Sequence, residues 1–121
     1  MEFRVSVVIP VYNAAPFVRQ AVESALAQPE TVEVVLVEDN SPDNSLEICQ
    51  QLTQEYPRVQ LFRHPNGENR GAGPSRNLGI SNSTQPYIAF LDADDFFLPG
   101  RFGMVKEVFS LEPTCDGVYE A

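Results

Sequence analysis

The sequence predicts a single α/β domain with a mostly parallel sheet and helices on both of its faces. Short β-branched runs alternate with helical apolar patterns four times along the 121 residues. Strands that are separated by helices pair in parallel through right-handed crossovers. The chain is 43% hydrophobic and 21% charged, as folded proteins are, and it is long enough for one core without disulfide or metal staples. We therefore expect residues 1–121 to form one domain.

Apolar spacing and proline define the elements of the first half. Continuous β-branched runs are typical of strands buried on both faces of a parallel sheet, whereas a proline ends a strand or opens a helix. An apolar residue about every three to four positions marks a helix. In order, we expect a strand over residues 5–9 that Pro10 ends, a helix opened by Pro16 with Phe17 on its inner face, a strand over 32–37, a helix from 41–44 to Pro57 with Ser41 as its cap, and a strand over 59–62.

The second half begins with a polar segment rich in glycine and asparagine, which is typical of a loop. His64, the only histidine of the chain, lies at its start, and we expect it on the surface. In order, the pattern then predicts a loop over residues 64–73, a helix over 74–83, a buried strand over 87–91, an amphipathic helix over 99–111 with Phe102 inward, and the start of a fifth strand at 117–119.

Charge and cysteine usage exclude several classes of function. Seventeen acidic against eight basic residues give a net charge of −9, which argues against nucleic acid as a partner and would repel an anionic membrane. Cys49 and Cys115 form neither a disulfide framework nor a zinc motif, and Cys49 fits a small reduced core residue. No apolar run approaches the ~20 residues of a membrane span. We expect a cytoplasmic protein. A protein held at the membrane periphery by a further segment would show the same features.

Three carboxylates, Asp92, Asp94 and Asp95, follow the last predicted strand of the sheet directly. Like charges this close favour a bound cation, and Asp92 and Asp94 suit Mg²⁺ or Mn²⁺, which take carboxylate oxygens and keep positions open for phosphates. The alternative is a solvated turn with Asp95 as a helix cap. An EF-hand is excluded, because Phe97 and Gly103 stand where its glycine and glutamate are required.

Further polar residues fall at the carboxyl ends of the other predicted strands, where parallel sheets bind ligands. Asp39 could accept hydrogen bonds from a base or sugar, or cap the next helix, and Tyr12 could stack on a base or be an ordinary strand-end aromatic. Arg76, beside a glycine-rich helix start, suits a phosphate or an internal ion pair with the acidic strand ends. The sequence lacks the lysine-containing P-loop and the Gly-x-Gly-x-x-Gly motif of dinucleotide-binding proteins.

Four motifs occur in the order and spacing of one enzyme family. They are Val5-Ser6-Val7-Val8-Ile9-Pro10-Val11-Tyr12-Asn13, Val37-Glu38-Asp39-Asn40-Ser41, Ser75-Arg76-Asn77-Leu78-Gly79-Ile80 and Phe90-Leu91-Asp92-Ala93-Asp94-Asp95. In these the chain resembles family 2 glycosyltransferases over nearly its whole length. Glu38, where the family usually has Asp, and Pro74, within the helix-start motif, depart from the pattern.

The resemblance implies a Rossmann-like GT-A fold whose first half binds a nucleoside diphosphate sugar, with UDP-sugar favoured. It implies that Pro10 and Tyr12 line the nucleobase pocket, that Asp39 accepts a hydrogen bond from the base, and that Arg76 lies near the diphosphate. Asp92 and Asp94 would be the Asp-x-Asp pair that holds Mg²⁺ or Mn²⁺.

The reaction implied is inverting transfer of a sugar to a hydroxyl of a sugar or lipid-linked acceptor, in cell-envelope polysaccharide biosynthesis. Family members carry the acceptor site and the catalytic base in a second half, so we expect the base outside residues 1–121. The alternatives are a non-catalytic nucleotide-binding or interaction module and, less favoured, a receiver-like Mg²⁺-binding signalling domain. The latter needs an acidic pair after its first strand, where this sequence has Pro10-Val11-Tyr12-Asn13.

Overall fold

The computed structural model describes residues 3–102, which form a four-stranded parallel sheet with helices on both faces. The predicted α/β class is therefore confirmed, and the strand order is β3-β2-β1-β4. The strands are β1 (Val5–Val11), β2 (Thr31–Glu38), β3 (Val59–Arg63) and β4 (Tyr87–Phe90), and the helices are α1 (Val18–Leu26), α2 (Ser45–Glu55) and α3 (Ala72–Ser81), with a 3₁₀ turn at Pro65–Gly67.

Strands β1 and β2 are the buried centre of the sheet, as their continuous β-branched runs predict. Their residues pair in register, with Val7 opposite Val34 and Ile9 opposite Leu36. On one face, α1 and α2 cover a large apolar core, and on the other face α3 covers a smaller one. The fully buried members of the larger core include Val7, Ile9, Val18, Val22, Val34, Leu36, Cys49 and Leu52, and those of the smaller are Val8, Val35 and Val37.

The first strand continues through Pro10 to Val11, so the prediction that Pro10 ends it is wrong. Alternate residues of a strand direct their backbone groups to opposite neighbours. The Val8 carbonyl accepts a hydrogen bond from Leu91 on the β4 side, and Pro10 has the same parity. Because β4 pairs with β1 only as far as Val8, the N–H that proline lacks would have had no strand partner there.

Helix α3 packs closely on β1 because it carries a glycine at the contact. A Cβ built on Gly79 would lie 2.3 Å from Cγ1 of Val8, which is inside van der Waals distance. The helix begins at Ala72, two residues before the predicted start, so Pro74 lies in its first turn. A proline is tolerated there because the first N–H groups of a helix have no partner inside the helix.

The starts of α1 and α2 differ from prediction. Helix α2 begins at Ser45, and the Asp43 carboxylate, not the Ser41 hydroxyl, accepts the backbone N–H of Ser45. Ser41 instead accepts a hydrogen bond from the backbone N–H of Asn13, so the prediction that it caps α2 is wrong. Phe17 precedes α1 and is exposed, not inward as predicted.

The last described residues, 99–102, form a turn in which Phe102 is buried as predicted. The rest of the helix expected over 99–111 and the fifth strand expected at 117–119 lie outside the described residues. Within residues 3–102, none of the helices has the length and apolarity that crossing a bilayer requires.

Candidate functional site

A cavity of about 560 Å³ opens at the carboxyl ends of the strands, between the loops that follow β1, β2 and β4 and the start of α3. All six site residues nominated from the sequence line it, which brings together positions up to 84 residues apart in the chain (Pro10 to Asp94). The lining residues are Pro10, Val11, Tyr12, Asn13, Ala14, Phe17, Asp39, Asn69, Gly71, Ala72, Ser75, Arg76, Asp92, Ala93 and Asp94.

The loop after β1 presents an aromatic ring to this cavity. Tyr12 is 54% exposed, and Asn13 next to it adopts φ 52°, a left-handed conformation that asparagine tolerates better than most residues. The backbone N–H of Asn13 is held by Ser41 at 3.0 Å, which ties the loop after β1 to the loop after β2. Tyr12 is thus fixed by its backbone neighbour while its ring stays free to contact a ligand.

Asp39 is a buried carboxylate that organises the cavity wall. Its Oδ1 accepts the backbone N–H of Arg70 at 2.7 Å and its Oδ2 accepts that of Gly71 at 2.9 Å. Asn69 donates its side-chain amide to the Asp39 carbonyl at 2.8 Å. Asp39 therefore has a structural role, but it anchors the backbone before α3 and does not cap α2. Each carboxylate oxygen can still accept a further hydrogen bond, and Asp39 borders the cavity.

Gly71 allows this arrangement through its backbone conformation. Its φ of 92° lies in the region that favours glycine, and this directs its N–H to Asp39 immediately before α3 begins. We call Glu38, Asp39 and residues 69–71 the β2 end of the cavity.

Glu38 is buried at the β2 end and does not border the cavity. Its carboxylate accepts the backbone N–H groups of Asn40 at 3.0 Å and Ser41 at 2.7 Å, and an N–H of Arg63 at 3.2 Å. These contacts bend the chain after β2 and give Glu38 a structural role.

His64 is buried, so the prediction of a surface position is wrong. It follows β3 directly, and its Nε2 lies 3.0 Å from the Ser75 hydroxyl and 3.6 Å from Oδ1 of Asp39. A polar loop composition predicted exposure, but the carboxylate and hydroxyl that satisfy the imidazole come from distant parts of the chain. Sequence spacing alone carries no signal for that contact.

The acidic segment after β4 is built differently from the β2 end. A turn closes here through a hydrogen bond of 3.0 Å from the backbone N–H of Asp95 to the carbonyl of Asp92. The carboxylates of Asp92, Asp94 and Asp95 are exposed. We call Asp92–Asp95 the β4 end of the cavity. Asp95 accepts the backbone N–H of Phe96 and lines a second, 240 Å³ cavity, so only Asp92 and Asp94 face the large one.

Asp92 and Asp94 suit a divalent cation as a pair. Among the residues that the structure describes, no three His, Cys, Asp or Glu side chains converge as a complete metal site. Two exposed carboxylates on a cavity wall match Mg²⁺ and Mn²⁺, which bind one or two carboxylates and complete their shell with water and phosphate oxygens. The donor set therefore fits a cation that is held jointly with a phosphorylated ligand.

Arg76 is the basic side chain that reaches this part of the cavity. Its Nη2 is 3.9 Å from Oδ1 of Asp92, which is the outer limit of an ion pair, and both side chains are substantially exposed. Such a pair contributes little to stability. Arg76 remains free to turn its fork of N–H donors to an anion, so both alternatives given for it in the sequence remain open.

Cys49 carries no reactive role. It is a free thiol on the buried face of α2, and burial raises the pKa of this thiol to about 12. At neutral pH it is a small apolar side chain, as the helical pattern predicts.

Among the other residues of the cavity wall, Phe17, Asn69 and Ser75 have side chains that could contact a ligand but were given no such role from the sequence. Phe17 was assigned to a helix face, Asn69 lies in the segment expected to be a loop, and Ser75 occurs in the third motif. A signal for Asn69 was available, since a loop between two glycine positions at a strand end favours ligand contact.

The parallel sheet with a nucleotide-sized cavity and two carboxylates at its strand ends defines a Rossmann-like ligand-binding domain. Residues 6–120 match the family described as Glycosyl transferase family 2, and the chain belongs to this family. The resemblance seen in the four motifs is thereby confirmed.

One relative and two solved structures illustrate the similarity. The succinoglycan biosynthesis protein ExoU of Rhizobium meliloti is 43% identical over 101 residues, which are 84% of this chain and 29% of ExoU. TarS (residues 1–349) of S. aureus, solved with UDP-GlcNAc, superposes with a TM-score of 0.76 at 23% identity, over 91% of this chain and 32% of that one. The mannosyltransferase PcManGT of Pyrobaculum calidifontis, solved with GDP-Man and Mn²⁺, gives 0.74 at 25% identity, over 90% and 32%.

These matches confirm the GT-A fold, since the solved neighbours are glycosyltransferases that share it. The chain spans about a third or less of the length of the proteins it matches.

Proposed function

We propose that this chain binds the nucleoside diphosphate sugar of an inverting glycosyltransferase, with a UDP-sugar as the favoured donor. The observation that carries the proposal is one cavity that unites an exposed aromatic ring, a buried hydrogen-bonding wall and a pair of free carboxylates. The ring suits a planar base, the hydrogen-bonding wall suits a base edge or a sugar hydroxyl, and the carboxylate pair suits the cation of a diphosphate.

The base is assigned to the β2 end and to the neighbouring carboxyl end of β1. Tyr12 offers a ring face for stacking, and Pro10 gives the pocket a rigid apolar floor. Asp39 is held by two backbone N–H groups, so its remaining acceptor positions are fixed in direction. A fixed acceptor suits the ring N–H of uracil, and the resemblance to family 2 glycosyltransferases is what favours UDP over other nucleotides.

The diphosphate is assigned to the β4 end and to the start of α3. A chain of net charge −9 repels phosphate unless a cation intervenes, and Asp92 and Asp94 are the residues that would hold Mg²⁺ or Mn²⁺. A bound divalent ion would supply charge neutralisation and Lewis acidity towards the departing nucleoside diphosphate. Arg76 adds donors beside them, and the free N–H groups at the start of α3 favour an anion.

The two solved neighbours support a nucleotide-sugar donor. TarS was solved with UDP-GlcNAc, and PcManGT with GDP-Man and Mn²⁺, so this fold accommodates different bases and a divalent metal. The name of ExoU supports a role in polysaccharide biosynthesis, and we include a sugar or lipid-linked acceptor of a cell-envelope polysaccharide in the proposal. We also include a cytoplasmic location, peripheral to the membrane, which reduced Cys49 favours.

The acceptor site and the catalytic base belong, in this proposal, to the part of the relatives' length that the chain does not span. Glu38 is engaged in three hydrogen bonds, and Asp95 faces away from the large cavity. Neither Glu38 nor Asp95 is therefore placed to deprotonate an acceptor in that cavity.

Calorimetric titration with UDP, GDP and ADP, each with Mn²⁺ or with excess chelator, tests the proposal. We expect UDP to bind most tightly and only with the metal, and Asp94→Asn to weaken binding by about tenfold or more, as loss of one charged ligand to a cation does. Asp95→Asn is the matched control, because Asp95 belongs to the same turn but faces the second cavity. Equal affinity in chelator would refute the metal site, and no binding of any nucleotide would favour an interaction module.

A further inference from the structure

A buried polar cluster lies behind the β2 end of the cavity. It consists of His64, Ser75 and Asp39, whose exposed fractions are 5%, 0% and 4%. The imidazole Nε2 is 3.0 Å from the Ser75 hydroxyl and 3.6 Å from the Asp39 carboxylate. Burying three polar side chains is unfavourable unless they form hydrogen bonds with one another or with the backbone. The burial of this cluster therefore needs a structural or functional explanation.

The cluster ties together three elements that meet at the cavity. Asp39 follows β2, His64 follows β3, and Ser75 lies in the first turn of α3. Asp39 and Ser75 border the cavity, whereas His64 does not. His64 is thus behind two residues of the wall, in a position to orient them but not to touch a ligand.

The carboxylate determines which imidazole nitrogen carries the proton. An ionised Asp39 only accepts hydrogen bonds, and it faces Nε2 at 3.6 Å. A lone pair on Nε2 would be repelled by that oxygen, whereas an N–H there is attracted by it. This favours the tautomer that carries its proton on Nε2, which would donate to the Ser75 oxygen 3.0 Å away.

The Asp39 carboxylate links His64 to the backbone of the cavity wall. Oδ1, the oxygen nearest His64, also accepts the Arg70 N–H, and Oδ2 accepts the Gly71 N–H. Without a neighbour at position 64, the carboxylate would be held only by these two N–H groups. The carboxylate and the 70–71 backbone, where α3 begins, could then shift together.

We propose that His64 and Ser75 are positioning residues of the nucleotide site: they hold the Asp39 carboxylate and, through it, the 70–71 backbone, so that the β2 end is formed before a nucleotide arrives. The proposal rests on the proposed function in that it assigns the base to the β2 end. Its effect should fall on the part of binding that depends on the base, because the diphosphate is assigned to the other end of the cavity.

Two variants of His64 separate a donor from mere volume. His64→Gln keeps an N–H donor near the position of Nε2, whereas His64→Leu removes it. With Mn²⁺ present, we expect His64→Leu to weaken UDP binding about tenfold, the effect of roughly one lost hydrogen bond to a charged group, and His64→Gln to recover most of the affinity. Binding of inorganic pyrophosphate with Mn²⁺ should change less than twofold in both variants.

Ser75→Ala supplies a second test that changes no charge and little volume. It should weaken UDP binding in the same direction as His64→Leu. Ser81→Ala is its matched control, since Ser81 is in the same helix and its hydroxyl, within residues 3–102, donates to the Asn77 carbonyl alone. UDP affinity unchanged in Ser75→Ala, or equal losses for UDP and pyrophosphate in the His64 variants, would overturn the proposal.

A nitrogen-15 NMR measurement tests the cluster without any nucleotide. His64 is the only histidine, so long-range proton–nitrogen correlations report its tautomer without assignment. We expect the proton on Nε2, and a loss of that preference in Asp39→Asn. A proton on Nδ1 in the unmodified protein would overturn the proposal even if UDP binds. If Nε2 is protonated but no nucleotide binds, the proposed function fails and with it the role assigned to the pair, while the cluster geometry stands.

Discussion

The β2 end and the β4 end of the cavity use carboxylates in opposite ways. At the β2 end, Glu38 and Asp39 are buried, and both oxygens of each accept hydrogen bonds from the protein. At the β4 end, Asp92 and Asp94 are exposed, and the one ion pair that involves them within residues 3–102 is the 3.9 Å contact with Arg76. One end is complete in the protein alone, and the other is suited to a charge that a ligand brings.

This difference separates what stabilises the fold from what binds. A buried carboxylate that accepts backbone N–H groups cannot be removed without leaving those groups unsatisfied. Exposed like charges contribute nothing to the fold and repel one another. Substitutions at the β2 end should therefore lower the free energy of unfolding whatever they do to binding, whereas those at the β4 end should act on binding alone.

The largest effect is expected for Glu38→Ala. Two backbone N–H groups and one Arg63 N–H lose their acceptor in a buried place, so the free energy of unfolding should fall by about 3 kcal/mol. Urea denaturation measures it. Asp94→Asn is the control and should shift the same quantity by less than about 0.5 kcal/mol, as exposed substitutions do. Equal losses for the two variants would erase the distinction between the ends.

The next effect concerns the helix that brings Ser75 and Arg76 to the cavity. Gly79→Ala places a methyl group 2.3 Å from Val8 Cγ1, so α3 must move away from β1 and stability should fall by about 2 kcal/mol. Gly73→Ala in the same helix meets open space and should raise stability by about 0.5 kcal/mol. Thermal unfolding compares the two, and a stabilising Gly79→Ala would show that the close approach is not required.

A smaller effect is expected from pH, through Asp43. A hydrogen bond from the Ser45 hydroxyl holds the pKa of Asp43 below its ordinary value of 3.8, and the N–H groups of Ala15 and Ser45 act in the same direction. A lowered pKa in the folded state means that its contribution is fully present well above pH 3.8 and is lost as the pH falls below it. We expect less than about 1 kcal/mol, because solvent screens this partly exposed carboxylate, and urea denaturation between about pH 2 and about pH 6 measures it, a range of roughly two units on each side of an ordinary carboxyl pKa.

Asp43→Asn keeps the shape but removes the titration. Its stability should depend less on pH than that of the unmodified protein in the acidic range. An identical pH dependence for the two proteins would assign the acid sensitivity to other carboxylates.

The fold could be predicted because its signals are local. The β-branched runs of β1 and β2 and the 3.6-residue periods of α1 and α2 each occupy one short window. Pro10 was misjudged because its tolerance depends on where β4 stops, which is a property of another strand. The role of Ser41 was misjudged because its hydroxyl accepts a hydrogen bond from the backbone N–H of Asn13, in the loop after β1.

The candidate site could be predicted only in part for the same reason. Exposed residues after strands, such as Tyr12 and Asp94, are visible in the sequence as polar or aromatic ends of apolar runs. The buried contacts of His64 and Asp39 join segments 25 residues apart (39 to 64), and no local pattern encodes them. The sequence therefore predicted which residues line the cavity better than it predicted which of them the fold itself requires.

The smallest stability effect is expected for Arg76, and it decides between the two roles that the sequence left open. If Arg76 serves an anionic ligand, Arg76→Gln should change the free energy of unfolding by less than about 0.5 kcal/mol and should not couple to Asp92→Asn, since exposed pairs near 4 Å contribute little. The same variant should weaken UDP binding with Mn²⁺ about tenfold, and Arg76→Lys should recover only part of it because it lacks the bidentate fork. A double-mutant cycle in urea and a UDP titration measure the two effects. A coupling of about 1 kcal/mol with unchanged UDP affinity would make Arg76 a structural partner of Asp92. The β4 end, like the β2 end, would then be complete in the protein alone.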